Sequence, residues 1–139
     1  MEKPYVIDAS VALSWVLRDE TNAKADEIRK VIEAGVQAWI PCHWRLEIAN
    51  ALLMAERRQR ITPEEASEAL HLMDELPLEE DARTAEQASG ETLRLAREHG
   101  LTIYDAAYLE LSKRQGAVLA TFDDALIRAA KREKVALQE

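Results

Sequence analysis

Four acidic residues stand at positions that a solvated surface does not require: Asp8, Glu47, Asp105 and Asp123. Asp8 directly follows the β-favouring run Tyr5-Val6-Ile7, and Asp123 lies just beyond the apolar run Ala117 to Ala120. Glu47 sits in a segment of helical period beside the apolar-face residues Trp44 and Ala51, so its carboxylate points inward and needs a partner. Asp105 opens a helix three residues after Thr102. Gathered about 4 Å apart in one cleft, each like-charged pair would cost about 4 kcal/mol at an effective dielectric of about 20. Such a cluster asks for a counter-ion. A ligand set made only of oxygen suits Mg²⁺ or Mn²⁺ and not zinc or copper. An ion held by carboxylates and water neutralises phosphate oxygens and activates a water, so phosphodiester hydrolysis is the matching reaction.

Each acid also has a purely structural alternative. Asp8 can be a turn residue or a helix cap, and Asp105 the acidic half of a capping box opened by Thr102. Asp124 stands in that same relation to Thr121, where capping is the simpler account. Glu47 could instead meet an arginine from elsewhere.

The elements that must position these residues alternate between strand and helix. Tyr5-Val6-Ile7 predicts a strand, followed by a helix carrying Val11, Leu13, Trp15, Val16 and Leu17. A second helix covers about Asn22 to Glu33, and Gly35 ends it. Gln37 to Ile40 is a short strand stopped by Pro41, and His43 to Arg58 a long helix ending in a basic cluster. Thr62-Pro63-Glu64-Glu65 is a strong helix start for a segment reaching about Glu75. Pro77-Leu78-Glu79 is a further short strand, and Thr84-Ala85-Glu86-Gln87 repeats the capping signal for a helix to His99. A helix over Ala106 to Lys113, a buried strand at Ala117 to Ala120, a helix ending near Arg132 and an edge strand at Val135-Ala136-Leu137 complete the chain. This order predicts an α/β domain with a small, mostly parallel sheet flanked by helices, whose ligands bind beyond the strands' carboxyl ends.

The 139 residues fit one domain spanning 1–139, and 47% hydrophobic content gives it a core. With 26 acidic residues against 18 basic ones the net charge is −8, which excludes a broad basic binding surface. The lone Cys42 makes no internal disulfide and reads as a small buried residue. No segment is apolar for the roughly 20 residues that span a bilayer, and the amino terminus has no signal-peptide pattern. These features predict a cytoplasmic protein without membrane contact.

Taken together, Val6-Ile7-Asp8-Ala9-Ser10, Leu46-Glu47-Ile48-Ala49-Asn50-Ala51-Leu52, Tyr104-Asp105-Ala106-Ala107-Tyr108-Leu109 and Leu119-Ala120-Thr121-Phe122-Asp123 resemble the four ordered blocks of the PIN-domain nucleases. More narrowly, the chain is similar to the VapC-type toxins of toxin–antitoxin pairs, and the likeness covers nearly all of it. The resemblance implies a PIN-like, Rossmann-like three-layer fold and Mg²⁺- or Mn²⁺-dependent endoribonuclease activity. It implies that Asp8, Glu47, Asp105 and Asp123 form the metal site, supported by Ser10 and Thr121, with Asn50 and Asp124 nearby. It further implies an RNA substrate, a small antitoxin partner that blocks the cleft, and a homodimer.

In the expected mechanism Asp8, Asp105 and Asp123 hold the ion while Glu47 ligates it or orients the attacking water, with no covalent intermediate. Contacts to RNA or antitoxin are expected from Arg57, Arg58 and Arg60, and from Arg128, Lys131, Arg132 and Lys134. Helix-end solvation is the plainer account of both groups. Trp15, Trp39 and Trp44 are expected in the core, and His43, His71 and His99 have no motif context. Two rival readings compete. One is an aspartyl phosphotransferase of the haloacid-dehalogenase type, which gives Glu47 and Asp105 no role and finds Ser10 where a second Asp is wanted. The other is a non-enzymatic helical binding module whose acids only cap helices.

Overall fold

A computed structural model describes residues 2–138 of the chain. Four short strands form its sheet: β1 (Tyr5–Ile7), β2 (Ala38–Ile40), β3 (Leu78–Glu80) and β4 (Val118–Ala120). All neighbours run parallel, in the order β3-β2-β1-β4. Parallel neighbours need crossovers, and helices supply them. β1 and β2 are joined through α1 (Ala9–Val16), a 3₁₀ turn at Arg18–Glu20, and α2 (Ala23–Glu33). α3 (Trp44–Arg57) and α4 (Pro63–Glu75) lead to β3, and α5 (Glu91–His99) and α6 (Ile103–Gln115) lead to β4. α7 (Asp124–Arg132) follows, and Leu137 returns beside Leu119 in a single parallel bridge. The predicted last strand is thus reduced to one bridge.

The chain builds outward from β1 to β3 and then crosses back to lay β4 on the other side of β1. The reversal between β1 and β4 is a topological switch point, where the connections leaving the two strand ends diverge and open a crevice. Asp8 and Thr121 are the residues immediately after those two strands.

The core is the continuous set expected from the helical and strand periods. Val6 and Ile7 of β1, Ile40 of β2, Trp44, Ile48 and Leu52 of α3, and Leu119 of β4 are almost wholly buried. α6 is the most enclosed helix, buried from Ala106 through Ser112, and it packs on β1 and β4. Two αL glycines set its boundaries: Gly100 ends α5 with φ +64° and Gly116 ends α6 with φ +60°. A residue with a Cβ is strained at both positions.

Three local expectations are corrected. The signal at Thr84 does not open a helix, because residues 82–90 form turns and α5 begins at Glu91. The Thr84 hydroxyl is already engaged, donating to Asp81 Oδ2 at 2.8 Å and accepting the Cys42 N–H at 3.1 Å. Cys42 is exposed rather than buried: its backbone is tied down by Thr84 at the end of β2 while its side chain lies outside the core. Thr121 and Asp124 form no capping box, since Asp123 caps α7 by accepting the Leu126 N–H at 2.8 Å. The box at Thr62 and Glu65 does form, with both reciprocal hydrogen bonds present.

Candidate active site

Asp8 is 7% exposed at the crevice between β1 and β4, and its backbone N–H bonds to Ala120 O at 2.9 Å. Its Oδ2 accepts hydrogen bonds from Ser10 Oγ at 2.8 Å and Thr121 Oγ1 at 2.6 Å. Both hydroxyls also accept backbone donors, Ser10 Oγ from Phe122 N–H and Thr121 Oγ1 from Asp123 N–H. This short network ties the start of α1 to the turn after β4 and fixes one carboxylate oxygen, while Oδ1 lies outside these bonds.

Glu47 reaches the crevice from the first turn of α3. The buried Tyr108 of α6 donates its hydroxyl to Glu47 Oε1 at 2.6 Å. His43 Nε2 approaches the same oxygen at 3.1 Å but is not aligned as a hydrogen-bond donor. The His43 ring meets Tyr104 and Tyr108 edge-on, with centroids 5.5 and 5.6 Å away. Asp105 lies in the first turn of α6, where its backbone N–H is capped by Thr102 Oγ1. Its side chain shares an open depression of ≈ 470 Å³ with Glu47 and Asn50. Exposed Asp123 stands at the mouth beyond β4.

The electrostatics join the four acids into one field. Burial raises the Asp8 carboxyl from its ordinary 3.8 to about 6, with repulsion from Glu47 and Asp105 adding to it against the lowering effect of the two hydroxyls. Asp105 is raised by burial and then by Asp123 and Glu47. Burial, followed by the negative charge of Asp8 and Glu47, also keeps the Tyr108 phenol protonated as a donor. Among the described residues no arginine or lysine pairs with any of these acids. No three of the four bring carboxylate oxygens within 4.8 Å of one another. They ring the crevice rather than collapse into a cage.

That donor set fits a hard divalent cation. It is all oxygen and carries charge that no arginine or lysine among the described residues neutralises, the donor chemistry that a hard ion such as Mg²⁺ takes.

Known proteins share the fold that carries these residues. A family model described as PIN domain matches residues 5–132. The chain belongs to the PIN-domain family. Ribonuclease VapC3 from Pyrobaculum aerophilum is 30% identical over 118 residues, covering 85% of this chain and 88% of its own. The crystal structure of PAE2754 from the same organism superposes with a TM-score of 0.70 at 29% identity, covering 97% of this chain and 88% of that one. FitAcB from Neisseria gonorrhoeae shares the fold with a TM-score of 0.64 at 15% identity, over 97% of this chain and 96% of its own. VapBC2 from Rickettsia felis, solved with a DNA fragment from their promoter, shares it with a TM-score of 0.63 at 12% identity and the same coverage.

Within this PIN domain the other expected site residues divide. Ser10 and Thr121 meet Asp8 directly, and Asn50 lines the depression beside Glu47. Asp124 is exposed on α7 and takes no part in the Asp8 network. Arg60 is not a free cation: Asp19 binds it through two bonds and Glu20 through a third. Arg57, Arg58, Arg128 and Lys131 are exposed. Trp44 is fully buried in the core, while Trp15 and Trp39 are half-buried against it, Trp15 donating its indole N–H to the Ala25 carbonyl at 2.7 Å.

Sequence reasoning assigned no role to His43 or Tyr108. The signal for His43 was its four-residue spacing from Glu47 on one helix face. Tyr108 carried only its place in the third block, because the pairing with Glu47 spans 61 positions.

Proposed function

We propose that this PIN domain is a Mg²⁺- or Mn²⁺-dependent endoribonuclease and the toxin of a toxin–antitoxin pair. The observation that carries the reading is the buried Asp8 carboxylate. Two hydroxyls hold it on one side, no arginine or lysine among the described residues pairs with it, and Glu47 and Asp105 add their negative charge, with Asp123 in turn beside Asp105. Kinship with Ribonuclease VapC3 supports RNA as the substrate.

Asp8, Asp105 and Asp123 would hold the ion, which when bound neutralises phosphate charge and lowers the pKa of a water. Ser10 and Thr121 keep Asp8 Oδ2 occupied, so the carboxylate presents Oδ1 to the crevice. Glu47 orients the attacking water and accepts its proton, while the Tyr108 hydroxyl fixes the Glu47 rotamer. No side chain acts as a nucleophile. A phosphotransferase reading, in which Asp8 attacks phosphorus, lacks a lysine or arginine against Asp8 to steady the acyl phosphate.

The partner in this reading is a small antitoxin protein that covers the cleft, and the compartment is the cytoplasm. No helix among the described residues is long and apolar enough to cross a membrane. A homodimer is supported by the exposed apolar side chains Leu46 and Leu53 on α3 and Ile103 and Tyr104 on α6.

The test is cleavage of a total small-RNA pool by wild type and Asp8→Asn, with Mg²⁺, Mn²⁺ and EDTA arms and mapping of the cut ends. Wild type should cut with either metal and stop in EDTA, and Asp8→Asn should lose activity by at least 100-fold while keeping its circular dichroism spectrum. Equal cutting by the two proteins removes Asp8 from the mechanism.

A further inference from the structure

Beyond β4 an open groove of ≈ 520 Å³ runs between α7 and the C-terminal segment. Its walls include the half-buried apolar side chains of Phe122, Ile127, Val135 and Leu137. Lys24 and Lys131 stand on its rim, both exposed. Neither forms an ion pair among the described residues. The groove and the crevice share a wall, since Thr121 lines the groove and donates its hydroxyl to Asp8 Oδ2 at 2.6 Å.

A trough half lined by apolar side chains and edged by two unpaired ammonium groups matches one chemistry well: a flat, weakly polar ring attached to phosphates. Single-stranded nucleic acid is held in this way, with bases against an aromatic face and backbone charge on lysines. We propose that this groove seats a nucleotide of the RNA strand adjoining the cleaved phosphodiester, with its base against Phe122 and its phosphates on Lys24 and Lys131. The assignment rests on the ribonuclease reading and adds to it a place for the strand outside the acidic centre. It also resolves a conflict of charge. A polyanion approaching four carboxylates is repelled, and two lysines on the neighbouring groove supply attraction without neutralising the acids themselves.

The experiment measures binding of a fluorescein-labelled single-stranded RNA octamer of mixed sequence by anisotropy in EDTA, over a series of salt concentrations. Cleavage kinetics with Mn²⁺ are measured in parallel. The Lys24→Ala/Lys131→Ala pair should weaken binding at least tenfold at low salt and flatten the slope of log K against log salt by about 1.4, or about 0.7 per phosphate contact. Phe122→Ala should weaken binding by about tenfold with the salt slope unchanged. Phe122→Leu, which keeps an apolar side chain against the core, should do nearly the same if ring stacking is the cause. In cleavage, the lysine variants should raise KM with kcat within twofold of wild type.

Cleavage-competent variants that keep wild-type RNA affinity and salt slope overturn the groove assignment and leave the ribonuclease reading intact. If those variants instead lose a co-expressed acidic protein partner, the groove belongs to that partner and the assignment is likewise overturned. A wild-type protein that neither binds nor cuts RNA defeats the ribonuclease reading itself.

Discussion

Asp8 and Asp81 occupy equivalent places in the sheet and have opposite electrostatic fates. Each follows a strand directly, and each backbone N–H bonds to the carbonyl ending the neighbouring strand, Ala120 O at 2.9 Å and Ile40 O at 2.8 Å. Each is buried, at 7% and 3% exposed. Each accepts a threonine hydroxyl, from Thr121 at 2.6 Å or Thr84 at 2.8 Å. They differ in the cation. Arg114 clamps Asp81 through two bonds of 3.0 and 2.7 Å and also holds the buried Glu110 of its own helix. Burial would raise the Asp81 carboxyl, but the Arg114 and Thr84 bonds outweigh it and leave it lowered. Asp8 meets only hydroxyls and other acids, and rises to about 6. The same backbone position thus serves as a structural tie at one strand end and as a charged, unmatched site at the other.

The largest expected effect breaks the tie. Arg114→Met leaves Asp81 and Glu110 buried without a counter-charge and should lower unfolding free energy by about 3–5 kcal/mol in urea titration. A loss under 1 kcal/mol would mean that Arg114 does not distinguish the two sites.

Asp8→Asn should act in the opposite direction in EDTA. The folded-state pKa of Asp8 lies above its unfolded value, so the folded protein holds the extra proton between about 4 and 6. Stability is therefore lost as pH rises through that window. At pH 7.5 the neutral amide should stabilise by up to about 3 kcal/mol, and the gain should shrink as pH falls and vanish only well below the ordinary value of 3.8, where Asp8 is protonated in both states. A destabilised Asp8→Asn protein at pH 7.5 would show that the crevice does not carry unrelieved charge.

Metal response separates the two sites by a smaller margin. Mg²⁺ at ten times its dissociation constant should stabilise wild type by about 1.4 kcal/mol, read as a rise in melting temperature. Asp8→Asn should blunt that rise and Asp81→Asn should keep it. The smallest effect tests the shared threonines: Thr84→Val and Thr121→Val should each cost about 1 kcal/mol. Only Thr121→Val should move the acid limb of the cleavage profile to higher pH, because it removes a bond that lowers the Asp8 pKa.

Much of this arrangement is readable from neighbouring residues. Helix spacing and caps are local properties, so the spans of α2, α3, α4 and α6 follow closely from Asn22, Thr62, Thr102 and the apolar periods. Placing Asp8 and Asp123 just beyond strands also locates them at the carboxyl edge. The misread segment is instructive. Thr84 carries a valid capping pattern, but its hydroxyl is claimed by Asp81 and by Cys42, which lies 42 positions away. A tertiary contact overrides the local preference there, and the same contact leaves Cys42 outside the core.

Sequence alone determined the alternation of elements, the all-oxygen character of the candidate site and the order of its four acids, because these depend on side-chain chemistry and on periods only a few residues long. Tertiary structure decided which buried acid receives an arginine, which tyrosine steadies Glu47 and where two unpaired lysines meet an apolar trough. Each of those arrangements brings together segments distant in the chain. Their energies depend on burial and on the distance between charges, quantities that exist only once the chain has closed on itself.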